Sequence, residues 1–144
     1  MCGAHAAVRS LLTEMIAEND RPTIVDIEAG LEHLSRGTAR SVDTMLVIFE
    51  PYFKSMETGA RMTALARELG IPRVLGVANK VTPADEKDLA AFCLSRDMEL
   101  AATIPRDEVM ATADRNGSGP LDVSSSSPAI DAIGKLAERL KADG

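Results

Sequence analysis

The chain has 144 residues, 45% of them apolar and only 3% aromatic, and a net charge of −6 from 22 acidic and 16 basic side chains. This suits a single domain with an aliphatic core, and an acidic chain without a Lys/Arg cluster opposes nucleic-acid binding. No apolar run reaches the ~20 residues of a membrane span, the first residues lack the basic-then-apolar order of a signal peptide, and two distant cysteines, Cys2 and Cys93, make no disulfide framework, so a cytoplasmic protein is expected.

In chain order, apolar spacing predicts a helix over about Ala4–Glu18, ended by Pro22. Thr23–Ile27 is a short β-branched run suited to a buried strand, and Leu31–Thr38 reads as a short helix. Thr44–Phe49 is the strongest strand signal, stopped by Pro51. A helix follows over Ser55–Leu69, with Gly70 and Pro72 as its C-terminal punctuation. Arg73–Ala78 predicts a strand, and Pro83–Arg96 a helix with Thr82 as its N-cap. Glu99–Ile104 predicts a weaker strand, and Asp107–Arg115 a helix. Residues 116–127 form a Gly/Ser-rich loop before a last helix over Pro128–Lys141.

Alternating strands and helices with short connections predict an α/β domain, a mostly parallel sheet with helices on both faces. Ligands of such sheets bind at the carboxyl ends of the strands. Four segments fall there: Asp26–Gly30, Glu50-Pro51, Asn79-Lys80 and Pro105-Arg106-Asp107.

Each end carries two readings. Asp26 and Glu28 alternate along a strand and so point to opposite faces; one of them could hold magnesium through water, or Asp26 could cap the next turn while Glu28 is solvated. The Asn79 amide could read a base edge with the Lys80 stem over the ring, or cap a turn. Pro105 and Asp107 could line the same pocket, or Asp107 could simply favour a helix start. Cys2 and His5 are half a metal site of zinc or nickel type, or a ragged terminus. His33 reads as a surface or packing residue, and Cys93, between Phe92 and Leu94, as a buried small apolar one. A phosphate loop of the form G-x-x-x-x-G-K-[ST] is absent from the sequence, as are a G-x-G-x-x-G fingerprint and a serine elbow.

Taken together, "DIEAGLEHLSRGTA", "VDTMLVIFEPYFKSMETGAR", "LARELGIPRVLGVANKV" and "IPRDEVMATADRNGSGPLD" resemble the C-terminal portion of the MinD/ParA class of deviant Walker P-loop ATPases. The Glu-Ala-Gly-x-Glu-His-Leu run is most similar to the CooC-like members, accessory ATPases for nickel insertion into carbon monoxide dehydrogenase. The resemblance implies ATP or ADP and magnesium as cofactors. It places Asp26, with Glu28, on the magnesium and attacking-water side, Asn79 and Lys80 at the adenine edge, and Pro105 and Asp107 along the base pocket. Cys2 matches the second cysteine of a C-x-C motif that holds metal, nickel or zinc, across a dimer interface. Partners implied are a second copy, or a chain supplying the N-terminal half, and a metalloenzyme client.

Because the Walker A lysine is missing, residues 1–144 are expected to form a single partial nucleotide-binding domain that does not hydrolyse ATP by itself. The same residues also fit a truncated remnant or a non-catalytic interaction module, since Met1 stands directly before the motif cysteine. In the family the phosphate-loop strand lies between those matching Thr23–Ile27 and Thr44–Phe49. Here these two strands must either close up on one another or receive a strand from another chain.

Overall fold

A computed structural model describes residues 23–26 and 42–142. The helices expected at Ala4–Glu18 and Leu31–Thr38, together with Cys2, His5, Glu28 and His33, lie outside the described residues. The elements follow in the order β1 (Thr44–Phe49), α1 (Phe53–Glu68), β2 (Arg73–Val81), α2 (Glu86–Ser95), β3 (Leu100–Pro105), α3 (Glu108–Asn116), α4 (Pro120–Val123) and α5 (Pro128–Ala142). The strands form a parallel sheet in the order β1-β2-β3, as the strand–helix alternation predicts.

β2 is the central strand, and Val74 to Ala78 are buried without interruption. A strand covered on both faces has no solvent side, so its apolar run is continuous rather than alternating. On one face, Val47 and Val74 pack with Ala66 of α1, while Phe49 and Ala78 pack with Leu89 and Cys93 of α2. On the other, Val77 and Ile104 pack with Ala129 and Leu136 of α5. Leu75 is fully buried, and truncating a core leucine to alanine costs about 2–5 kcal/mol.

Two glycines sit at close approaches. A Cβ on Gly59 of α1 or on Gly76 of β2 would come within 3.2 Å of the Phe49 ring. Phe49, one of three phenylalanines in the chain, thus wedges between helix and sheet, and a Cβ at either glycine would force its ring to give by a few tenths of an ångström. Gly70, at φ 79°, ends α1 in the left-handed conformation expected of it.

Several expectations are corrected. Thr23–Asp26, the described part of the first expected strand, forms no strand, and Ile24 is 94% exposed. Strand propensity needs a neighbour's hydrogen-bonding edge to become structure. Among the described residues β1 pairs with β2 alone, so the closing of Thr23–Ile27 onto Thr44–Phe49 is not formed there. Thr82 does not cap α2. Its N–H and hydroxyl both donate to Asp85 Oδ2, at 2.8 and 2.6 Å, and the helix begins only at Glu86. These bonds, the hydroxyl's first, hold the Asp85 carboxyl below its usual range. The loop at 116–127 contains the short helix α4, where Asp122 accepts from the Gly119 N–H at 3.0 Å.

Candidate functional site

The parallel register brings three of the four expected strand ends together: Glu50 after β1, Asn79-Lys80 within β2 and Pro105 closing β3. Asp26 is exposed and stands outside the sheet, and Glu28 falls outside the described residues.

β2 runs three residues further than the sequence pattern predicts, because it makes a bulge at its end. Ala78 pairs with Thr103, but the next pairing is Val81 with Pro105. Two residues of β2, Asn79 and Lys80, therefore stand opposite one of β3. A bulge of this kind bends the strand and re-aims its side chains. Lys80 takes the strain: its φ is 56°, left-handed for a residue with a Cβ. Its N–H is donated to the Asn79 Oδ1 at 3.0 Å, and its ammonium reaches Glu50 Oε1 at 2.8 Å. Beyond the bulge pairing resumes, with the Arg106 N–H donating to the Val81 carbonyl at 3.0 Å. Asn79 is half-buried. With its oxygen turned to the Lys80 N–H, its NH₂ group retains two donors for a ligand.

The end of β3 is organised differently. Asp107 is the N-cap of α3, where Oδ1 accepts from the Val109 N–H at 2.8 Å. Its Oδ2 accepts from the Ala129 N–H at 2.9 Å, in the first turn of α5. The Ala129 bond, then the Ser127 hydroxyl, hold this carboxyl below its usual range against the opposing effect of burial. One carboxylate thus caps two helices, and both its oxygens serve structure. The helix start was readable from the sequence. The clamp onto α5 was not, because no local spacing links positions 107 and 129.

Cys93 is buried on the inner side of α2, as expected, and burial pushes its thiol upward. A groove of about 630 Å³ runs between β3 and α5, lined by Ala101, Thr103, Lys135 and Arg139 among others. None of the candidate site residues lines it. Among the described residues no group of three or more His, Cys, Asp or Glu is placed to hold a metal. Within them, too, no helix is long and apolar enough to cross a membrane.

At the C-terminal end of β1 an apolar patch stays open: Ile48 and Tyr52 are each 56% exposed and Phe53 71%. Tyr52 is the N-cap of α1 without a capping side chain.

Comparison with known proteins finds no matching family model. The chain is 36% identical over 127 residues to the carbon monoxide dehydrogenase accessory protein CooC of Rhodospirillum rubrum, a match covering 86% of this chain and 47% of that protein. It is 38% identical over 110 residues to an uncharacterised ATP-binding protein of Methanocaldococcus jannaschii, covering 75% and 42% respectively. In three dimensions it is similar to the MinD cell division protein of Aquifex aeolicus, with a TM-score of 0.79 and 19% identity over 94% of this chain and 60% of that one. It is also similar to MinD complexed with Mg-ADP from Pyrococcus horikoshii, with a TM-score of 0.73 and 18% identity over 92% and 54%. The chain spans about half the length of the curated relatives it matches. In sequence, then, the chain resembles part of CooC and of related ATP-binding proteins, and in three dimensions it has part of the MinD-like P-loop fold.

Proposed function

We propose that this chain forms the base-binding side of the nucleotide site of a CooC-like ATPase, whose task is the maturation of a nickel metalloenzyme. The observation that carries the reading is the half-buried Asn79 amide, held on a bulge at the carboxyl end of the central strand. It stands where a parallel sheet presents its ligands, beside the turn that starts at Pro105. Adenine fits these residues. The amide NH₂ donates to a ring nitrogen, the second lone pair of Oδ1 can take the exocyclic amine, and the Pro105 ring offers an apolar edge.

The phosphates and metals are a different matter. Phosphoryl transfer depends on positioned cations and backbone donors around the phosphates, and the sequence has no Walker A lysine. Magnesium would belong on the side of Asp26 and Glu28. Nickel or zinc would belong at Cys2 across an interface with a second copy, or with a chain supplying the other half of the fold. Of these three, only Asp26 is among the described residues.

Calorimetric titration of the 144-residue chain with ATP and with adenosine tests the reading. Similar weak affinities are expected, with no turnover above ~0.1 per second. ATP binding a hundredfold tighter than adenosine would mean that the phosphates are gripped, and would sink the claim that this chain supplies the base side alone. The exposed Ile48, Tyr52 and Phe53 favour a second reading, a non-catalytic interaction module. That reading takes over if adenosine does not bind at all.

A further inference from the structure

We propose that Lys80 is the positioning residue for base recognition, its left-handed peptide setting the orientation of the Asn79 amide. This deepens the reading above and rests on it. An asparagine amide at the end of a strand has a broad, nearly two-fold torsion, so by itself it would present oxygen or NH₂ to a ligand with little preference. Here the choice is made by the backbone. Residue 80 at φ 56° turns its N–H back onto Asn79 Oδ1, 3.0 Å away. That N–H has left the ladder, since the bulge gives β2 two residues against one of β3. The single bond therefore gives that donor a partner within the chain and turns the NH₂ group away from it.

A left-handed conformation at a residue with a Cβ persists only where its surroundings over-determine it. Two things do so here. The Lys80 ammonium is bonded to Glu50 Oε1 at 2.8 Å, and Val81 beyond the bulge is buried and paired with Pro105. Glycine would adopt the same conformation without strain, but would lose the tie to the end of β1. The arrangement selects ligands that offer an acceptor to that NH₂ and a donor to the remaining lone pair of Oδ1. Adenine offers both side by side. On the edge that carries the ring nitrogen N7, hypoxanthine has a carbonyl in place of the amine and offers two acceptors.

The test is an NMR titration of the full chain with adenosine and with inosine, following the Asn79 side-chain NH₂, in the parent, Lys80→Gly and Lys80→Val. The parent should prefer adenosine. Lys80→Gly, which keeps the left-handed peptide and its N–H, should keep that preference. Lys80→Val, whose β-branched side chain resists φ > 0, should weaken adenosine about three- to tenfold, the worth of one to two net hydrogen bonds, and close the gap to inosine. Thermal melts run alongside separate a lost orientation from a lost fold. Should Lys80→Val not fold, hydrogen exchange at the Lys80 amide decides. It should quicken in Asn79→Ala, and an unchanged rate overturns the proposal. A parent that discriminates, with Lys80→Val discriminating equally, overturns this inference and leaves the base-site reading standing. A parent with no response at Asn79 to either nucleoside overturns both.

Discussion

The ends of β2 and β3 lie side by side in one sheet and use their polar residues in opposite ways. At the end of β3, Asp107 places one oxygen on α3 and the other on α5, so its capacity is committed to holding two helix N-termini. At the end of β2, Asn79 accepts one bond from its own neighbour and keeps its donors. The helix-start site is relaxed, with a carboxylate against N–H groups. The bulge is strained, with φ 56° at Lys80. Adjacency at the carboxyl edge of a parallel sheet therefore does not leave every residue equally free to meet a ligand. What distinguishes the two is how much hydrogen-bonding capacity the fold leaves unclaimed.

The sharpest way to break this comparison is Asp107→Ala. It removes the caps of α3 and α5 at once and should lower Tm by about 5 °C or more, with faster amide exchange at Val109 and Ala129. If Tm holds, the double clamp is not structural and the contrast collapses. Acid supplies a second, graded test. The Asp107 pKa is depressed below its ordinary value of 3.8 in the folded chain, so on acidification the unfolded chain takes up this proton first. The contribution of the clamp is complete above the unfolded pKa and is lost as pH falls through the folded one. Urea midpoints of the parent and Asp107→Asn should thus differ at pH 7 and draw together below about pH 4. Asp85 is depressed in the same sense, and comparing two chains that both carry it cancels its share. A gap that stays constant to pH 3 would contradict the assignment.

Asn79→Ala should do the reverse of Asp107→Ala. Tm should move little, by about 2 °C or less for a half-exposed side chain, while adenosine binding is lost from the calorimetric titration. A large Tm loss would make Asn79 a structural cap like its neighbour. The smallest effect belongs to Glu50→Gln. The pair with Lys80 is exposed on both sides, so its loss should cost under about 1 kcal/mol by chemical denaturation and less still at high salt.

The sequence made some of this legible and concealed the rest for physical reasons. Thr44–Phe49 is a strand with the bounds expected of it, and Arg73 begins the next, because buried β-branched runs bracketed by proline and glycine leave few alternatives. The parallel sheet with helices on both faces follows from their alternation, and Asp107 was readable as a helix start. The bulge was not legible, since Asn79-Lys80 is a common dipeptide and a register slip is decided by how β2 lies against β3. The start of α2 was misread because Asp85 competes for Thr82 and takes both of its donors. Thr23–Asp26 had the propensity of a strand without the neighbour that would realise it.

Tyr52 gives the open end of β1 an optical property. It is the chain's single tyrosine, and there is no tryptophan. Intrinsic emission excited near 280 nm therefore originates from one phenol, exposed at the carboxyl end of the first strand. A partner or helix that covered this end would change the solvation of that phenol while leaving no second fluorophore to blur the signal. The protein carries its own reporter of whatever meets this edge, and no label is needed to read it.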